Sequence, residues 1–318
     1  MLGGAIVAVA CSSYEESTPA ADGGANSASD GGGPTGDDGG GGDASSTVDA
    51  ATCDLSKPFG TPELIAELSS DDQDYTMAFT PDELTVIISS FSADAGGEQL
   101  LIASRTKIGE PFPKPAPLDM TGGNHGGGPT LGPDAGKLFF SKWTTEAGYD
   151  LFGAQRSAAA ALSFEVPVGM ATLNGPLDDL TPSISADGDE IFFMSNRSGT
   201  QALYRSTRSS GGNFREPTFV NEVFIDGGRQ IAPVLSGDGK TLYFAADTPT
   251  GLGALDVWMA TRPSRAEPFG TPKPITEVSS AASDQPTWAS TDGCRLYIAS
   301  GRRGVSTKFD FFVATKPK

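Results

Sequence analysis

The sequence contains few of the residues from which common catalytic centres are built. Its 318 residues include three cysteines and one histidine, His125. A Ser-His-Asp triad would have to use that histidine, but no Gly-x-Ser-x-Gly motif accompanies it. Zinc sites of the usual type need more Cys and His ligands than these. We therefore predict no metal and no cofactor, and we interpret His125, within the glycine-rich segment 122–128, as a loop residue and a candidate binding residue.

Basic residues are also scarce. There are 22 Lys and Arg against 40 Asp and Glu, so the formal net charge is −18. Phosphate contacts need clustered Lys and Arg, and the composition therefore argues against nucleic acid as a partner. The apolar run Leu2–Ala10 is far shorter than the roughly 20 residues that a membrane-spanning helix needs.

The apolar run Leu2–Ala10 ends at Cys11 and has the character of the tail of a signal peptide. The sequence from Ala8 to Cys11 is similar to a bacterial lipobox, which implies that Cys11 is lipidated. No Lys or Arg precedes the run, so the true translation start is expected upstream. A secreted protein cleaved nearby is the alternative. Ser12 follows Cys11 where a retention signal would have Asp, and by resemblance to enterobacterial sorting this implies the outer membrane.

Residues 12–52 form a segment of a different composition. It contains glycine runs, one aromatic residue (Tyr14), eight acids and no base. Such a segment buries too little apolar area to offset its loss of conformational entropy. We predict a disordered linker over 12–52, between a signal peptide at 1–11 and a folded domain at 53–318.

Five similar segments recur along that domain. Each contains an aspartate in a predicted tight turn, and neighbouring turn aspartates are 51 to 54 residues apart: Asp82, Asp134, Asp187, Asp238 and Asp292. A phenylalanine precedes each unit: Phe59, Phe112, Phe164, Phe214 and Phe269. A period near 50 built from short apolar strands is typical of propeller blades rather than of helical solenoids.

Each unit has the pattern of four strands. In the third copy these are Pro182–Ala186, Glu190–Ser195, Gln201–Thr207 and a segment around Phe214–Val220. The predicted fold is all-β: a five-bladed β-propeller of four-stranded antiparallel blades. A β-sandwich with coincidental spacing is the alternative.

A specific resemblance is carried by three copies: Thr181–Ser195, Ala232–Ala245 and, with one extra residue, Gln285–Ser300. Thr181–Ser195 reads TPSISADGDEIFFMS. It resembles the TolB-type, WD-like propeller repeat, whose core is Pro-x-x-Ser-x-Asp-Gly followed by an apolar strand. The first copy lacks the glycine (PDEL at 81–84), and the second inserts Ala135. The resemblance covers about residues 59–316. It implies a propeller in a bacterial envelope protein and carries no catalytic residue, because the motif is structural.

The last copy lacks an outer strand of its own, and the segment Phe59–Leu68 can supply it. Counting strand directions then puts Cys53 and Cys294 on the same rim. With Cys11 lipidated, these two cysteines are the remaining pair in an oxidising compartment. We predict a Cys53–Cys294 disulfide that closes the ring, with two unpaired thiols as the alternative.

Carboxylates are the main candidates for chemistry. Asp74, Asp179 and Asp284 each stand eight residues before a turn aspartate, at the predicted start of an innermost strand. If the propeller is a hydrolase, these three acids at the channel mouth are its catalytic candidates. The alternative is that they satisfy backbone donors at strand starts.

Arginines in the following loops are candidates for binding. Arg197 and the pair Arg302-Arg303 occupy corresponding loops of the third and fifth copies. They are interpreted either as solvated charges or as a patch for an acidic partner or lipid headgroups.

The absence of a nucleophile motif, metal cluster or phosphate loop favours a non-enzymatic protein-binding scaffold. We expect a monomeric lipoprotein of the bacterial cell envelope that binds an envelope protein and contacts the membrane only through its lipid. The alternative function is a carbohydrate-active propeller, either a glycoside hydrolase or a lectin.

Overall fold

The computed structural model of the chain describes residues 53–70, 73–92, 97–157, 162–209, 212–304 and 308–318. In these ranges the strands form five four-stranded sheets, and every pairing within a sheet is antiparallel. The only helical elements described are two short 3-10 turns, Pro133–Ala135 and Asn221–Val223. None of the helices in these ranges is long and apolar enough to cross a membrane. The predicted signal peptide with Cys11 and the predicted linker lie outside the described residues.

The strands follow the chain blade by blade after one initial strand, β1 (Glu63–Leu64). Blade 1 contains β2 (Gln73–Phe79), β3 (Thr85–Ser92), β4 (Gly97–Ser104) and β5 (Ala116–Pro117). Blade 2 contains β6 (Gly127–Leu131), β7 (Lys137–Thr144), β8 (Gly148–Gln155) and β9 (Val168–Gly169). Blade 3 contains β10 (Asp179–Ile184), β11 (Glu190–Ser195), β12 (Ala202–Thr207) and β13 (Thr218–Phe219). Blade 4 contains β14 (Gln230–Leu235), β15 (Thr241–Ala246), β16 (Asp256–Thr261) and β17 (Lys273–Pro274). Blade 5 contains β18 (Asp284–Ala289), β19 (Arg295–Ser300) and β20 (Asp310–Thr315).

Blade 5 obtains its fourth strand from the other end of the chain. Its sheet order is β1-β20-β19-β18, with Glu63 opposite Val313 and Leu64 opposite Phe312. The predicted five-bladed propeller, closed by an N-terminal outer strand, is therefore confirmed. Because β1 is only two residues long, backbone pairing alone holds this closure weakly.

The hydrophobic core consists of five clusters, each shared by two neighbouring blades. The periodic phenylalanines are distributed one to each cluster: Phe59, Phe112, Phe164, Phe214 and Phe269. Their exposed fractions are 8% or less. The period in the sequence thus reflects one aromatic wedge per blade interface, since each interface must bury apolar area on both of its faces.

The turn aspartates organise the tight turns through their side chains. Oδ1 of Asp187 accepts hydrogen bonds from the Ser185 hydroxyl at 2.6 Å and from the Asp189 amide at 3.1 Å. The glycine that follows, Gly188, has φ +78°, a value that glycine adopts without strain. In the first copy Glu83 occupies the corresponding position with φ +56°, and its buried carboxylate binds Arg295 of blade 5.

Cys53 and Cys294 form a disulfide with their Cα atoms 5.7 Å apart, as predicted. Two backbone hydrogen bonds lie beside it, from the Asp54 amide to Pro317 O and from the Lys316 amide to Cys294 O, both 2.8 Å long. The N-terminal segment is therefore tied to blade 5 both covalently and through its backbone.

Candidate functional site at the front rim

The two rims of the propeller differ in chemistry. We call the rim where the innermost strands begin the front rim, and the rim with the aspartate turns the back rim. At the back rim the central channel opens into a cavity of about 210 Å³. Its lining is largely apolar and includes Leu131, Pro182, Pro233, Val234 and Trp288. The half-buried acids and tyrosines described below lie instead at the front rim.

The three predicted channel acids begin their strands as expected, but they are buried. Asp74, Asp179 and Asp284 have exposed fractions of 1%, 0% and 0%. Asp179 accepts a hydrogen bond from the Gly175 amide at 2.6 Å, and Asp284 accepts one from the Ser280 amide at 2.6 Å. The expectation that they form an exposed ring of catalytic acids is therefore wrong, because each carboxylate is buried and accepts a hydrogen bond from a backbone amide of the loop before its strand.

The three arginines of the predicted patch differ in their surroundings. Arg197 forms an ion pair with Asp179, and Arg302 forms one with Asp284, both at 2.7 Å. Only 18% of each arginine side chain is exposed. These two arginines fix the strand starts and are not solvated charges. Arg303 is exposed and lies 3.4 Å from Asp310.

Asp74 differs from the other two acids. In the part of the chain that the structure describes, its hydrogen-bond donors are Ser70 and Ser90, and no ion pair to it is formed. Burial raises its pKa to about 6, against the hydrogen bonds from the two serines, and the Asp310 carboxylate raises it further. The folded protein therefore retains this proton more tightly than the unfolded chain, whose aspartates titrate at about 3.9.

This raised pKa leads to a pH-dependent prediction. Between pH 4 and 6 the folded state holds up to one more proton at Asp74 than the unfolded state, so this group lowers stability as the pH rises. Asp74→Asn removes the effect. We expect the unfolding free energy of the variant, relative to wild type, to rise by about 2 kcal/mol between pH 4 and 7. Urea titrations at both pH values measure it, and Asp247→Asn, at an exposed position, serves as the control. A difference independent of pH would contradict the assignment.

Blades 1 and 2 extend further at the front rim than the other blades. Their second and third strands are eight residues long, whereas those of blades 3 to 5 have six residues. The two longer hairpins expose Phe91 and Trp143, with exposed fractions of 43% and 62%. Among the described residues, the exposed aromatic side chains of this rim therefore lie on blades 1 and 2.

Glu98 lies beside this surface, opposite Phe91 in the register of blade 1. Its carboxyl accepts a hydrogen bond from the Ser89 hydroxyl at 2.8 Å. The carboxyl packs so closely on the first residue of β6 that any side chain at Gly127 would overlap it. Burial raises the pKa of Glu98, and the Ser89 hydrogen bond opposes this only in part. A half-buried carboxyl of this type favours the protonated form and suits proton donation.

Two tyrosines lie near Glu98, and a second acid contacts one of them. Burial raises the pKa of Tyr75 and of Tyr149, and the negative charge of Glu98 raises both further. Asp178 also acts on Tyr149, whose amide donates to its Oδ1 at 2.9 Å. The ring of Trp143 contacts Tyr149 edge-on, with centroids 5.3 Å apart. We call these five residues the front-rim cluster.

His125 lies next to the front-rim cluster but is not part of it. Its backbone bridges to Gln99, the residue after Glu98, and its side chain is exposed. Among the described residues no group of three or more His, Cys, Asp or Glu side chains is arranged to hold a metal ion.

Sequence reasoning missed the front-rim cluster. Glu98 and Asp178 occur at no periodic position, and their approach depends on how blades 1, 2 and 3 pack. One feature of the sequence could have indicated the cluster: the second and third strands of the first two copies are long. In the second copy this length places Trp143 beyond the apolar run LFF.

No family model matches the chain, and no curated protein matches it. Solved structures do resemble it. A GH62 α-L-arabinofuranosidase catalytic domain from Coprinopsis cinerea has a TM-score of 0.54 at 13% identity, covering 81% of this chain and 96% of that one. A thermostable family-43 glycoside hydrolase has a TM-score of 0.53 at 10% identity, covering 80% and 91%. A putative TolB from Agrobacterium tumefaciens has a TM-score of 0.50 at 14% identity, covering 79% and 87%. The chain spans 56% of the length of TolB from Acinetobacter baumannii.

At these identities the likeness shows the fold alone, which is a five-bladed propeller. It also corrects the functional expectation. Glycoside hydrolases, including arabinofuranosidases and a β-xylosidase, are among the similar structures with TM-scores of 0.50 or more. The prediction of a non-enzymatic protein-binding scaffold is therefore wrong, and the findings favour its alternative, a carbohydrate-active propeller.

Proposed function

We propose that the protein is a carbohydrate-active propeller whose glycan-binding surface is the front-rim cluster. The observation that carries the proposal is the position of Glu98, a half-buried carboxyl with a raised pKa beside two tyrosines and an exposed tryptophan. A sugar presents an apolar ring face and many hydroxyl groups. An exposed aromatic ring next to carboxyl and phenol groups matches both features.

The ligand we propose is an uncharged polysaccharide. The formal net charge of −18 and the two acids of the cluster repel uronate-rich polymers. The similar structures include arabinofuranosidases and xylosidases. Polymers of arabinose and xylose are therefore the first ligands to test.

Glu98 is also the residue we propose for proton donation if the polymer is cleaved. Its carboxyl proton would pass to the glycosidic oxygen as the bond to the anomeric carbon breaks. A water molecule would add to that carbon and lose its proton to a carboxylate, for which Asp178 is the candidate. The products are two shorter glycans, one with a new reducing end.

The first test is binding by the exposed aromatic ring. Arabinoxylan, linear arabinan and polygalacturonate are immobilised and challenged with the oxidised protein. We expect binding to the two neutral polymers, and we expect Trp143→Ala to weaken it at least tenfold, as loss of an aromatic anchor commonly does. Val168→Ala, which changes another exposed apolar residue of blade 2, is the matched control. Equal binding by both variants, or a preference for polygalacturonate, would refute the site.

The same protein distinguishes a hydrolase from a lectin. Reducing ends are measured after incubation with each neutral polymer. In a hydrolase, Glu98→Gln should lose at least about a hundredfold in rate while still binding, since general acid catalysis contributes about 10²–10⁴-fold. Binding by the wild type without release of reducing ends would identify a lectin.

For the segments outside the described residues we propose the location inferred from the sequence. Cys11 carries lipid, residues 12–52 tether the propeller, and the protein is anchored in the bacterial envelope at the outer membrane. The supporting features are the lipobox-like sequence and the acidic, glycine-rich composition of the tether. Detergent-phase partitioning checks this, because Cys11→Ala should move the protein into the aqueous phase.

A further inference from the structure

Blade 3 contains a complete binding site for the guanidinium group of its own Arg197. This group donates to the carbonyl oxygen of Leu173, to Oδ1 of Asp179 at 2.7 Å and to the Ser195 hydroxyl at 2.9 Å. It also lies over the ring of Tyr204, 5.0 Å from the centroid. Three oxygens in fixed positions and one flat face therefore surround it.

Blade 5 repeats this arrangement with Arg302. The guanidinium donates to Val278 O at 2.6 Å, to Oδ1 of Asp284 at 2.7 Å and to the Ser300 hydroxyl at 2.7 Å. The ring of Phe312 lies beneath it, 5.0 Å away. In both blades the arginine stands two residues after the serine, so the repeat itself defines where each component belongs.

Blade 1 has a residue at each corresponding position but lacks the arginine. Leu68, Asp74, Ser90 and Leu101 occupy the positions of the carbonyl acceptor, the acid, the serine and the ring residue. The residue two after the serine is Ser92. All four surrounding residues line a cavity of about 700 Å³ between blades 5 and 1. We call this cavity the blade 1 socket.

A serine stands four residues before the acid in blades 5 and 1. Its hydrogen bonds show which carboxylate oxygen is left for a cation. In blade 5 the amide and hydroxyl of Ser280 both donate to Oδ2 of Asp284, which leaves Oδ1 to Arg302. In blade 1 the amide of Ser70 donates to Oδ2 of Asp74, but its hydroxyl donates to Oδ1 at 2.9 Å. The hydroxyl thus covers the oxygen that an arginine binds in the other two blades.

We propose that the blade 1 socket binds a guanidinium group from outside the blade, supplied by a small guanidine or by an arginine of another polypeptide. A planar guanidinium can donate at once to a carbonyl, a carboxylate and a hydroxyl, whereas an ammonium is a compact charge without that shape. The side chains of Ile88 and Leu101, which also line the socket, provide apolar walls for the plane.

Two cationic side chains of the chain lie at the edge of the socket. Arg303 and Lys114 line it, but Arg303 donates to Asp310 at 3.4 Å and 58% of its side chain is exposed. Arg303 follows Arg302, which fills the site of blade 5, and its guanidinium pairs with Asp310.

The test compares N-butylguanidine with n-butylamine, which have the same apolar chain. The oxidised full chain is titrated by calorimetry at about pH 8, where Asp74 is ionised. We expect butylguanidine to bind at least tenfold more tightly than butylamine. Asp74→Asn should weaken its binding by about 10- to 100-fold, the range for a hydrogen bond to a charged group. Asp247→Asn, an exposed acid with the same change in charge, should have no effect.

A second variant fills the site from within. Ser92→Arg places an arginine at the offset found in blades 3 and 5, so it should abolish butylguanidine binding and raise the melting temperature. Equal binding of both probes, or unchanged binding in Asp74→Asn, would overturn the proposal. So would binding that appears only in Arg303→Ala, because the chain would then fill the socket itself. Tighter binding of a Gly-Arg-Gly amide than of butylguanidine supports a polypeptide as the source, and equal binding supports a small guanidine.

Discussion

Removing the Cys53–Cys294 disulfide should lower the free energy of unfolding by up to about 5 kcal/mol. The disulfide joins residues 241 positions apart, and a cross-link over so long a loop removes much of the conformational entropy of the unfolded chain. It also secures the two-residue strand β1 on β20. Without it, this edge can separate and expose the cluster between blades 5 and 1 to water.

Urea titration of the Cys53→Ala/Cys294→Ala double variant measures this effect. The wild type with reductant should match the variant, and reductant should leave the variant unchanged. Alanine is preferred to serine because Cys294 is buried and a hydroxyl there would add its own cost. Identical urea midpoints for oxidised and reduced wild type would contradict the prediction.

Glu190→Gln should destabilise the propeller by about 3 to 5 kcal/mol. Glu190 is 1% exposed, and its carboxylate receives both terminal nitrogens of Arg262, at 3.1 and 2.6 Å. The side chain of Arg262 is fully buried, and those of Arg205 and Arg265 approach the same carboxylate. Glutamine removes the negative charge and leaves the buried guanidinium of Arg262 without its carboxylate partner.

The matched control is the exposed pair Arg229–Asp247, whose atoms are 3.4 Å apart. Asp247→Asn should change the unfolding free energy by less than about 1 kcal/mol, because water screens exposed pairs. Urea unfolding of both variants makes the comparison. Equal losses would show that burial does not decide the strength of these ion pairs and would refute the argument for Glu190.

The arrangement of the acids at the front rim could not be predicted from the sequence. The acids at periodic positions were visible in the sequence, but Asp179 is bound by an arginine 18 residues later. Whether a carboxylate is exposed depends on that partner, and spacing alone does not reveal it. Glu98 and Asp178 stand at positions that do not repeat, and they approach Tyr149 only because three blades pack side by side.

Local and repeated features of the chain could be predicted from the sequence alone. The spacing of the turn aspartates and the five phenylalanines determined the number of blades, since each blade interface must bury one such wedge. The direction of the strands also determined that Cys53 and Cys294 meet. Tertiary structure alone decided which charges are neutralised and which remain available. Asp179 and Asp284 each form an ion pair with an arginine, whereas Asp74 forms none within the described residues. Glu98 lies near two tyrosines. Burial and pairing depend on side chains that are distant in sequence, and the free energy of a charge depends on both.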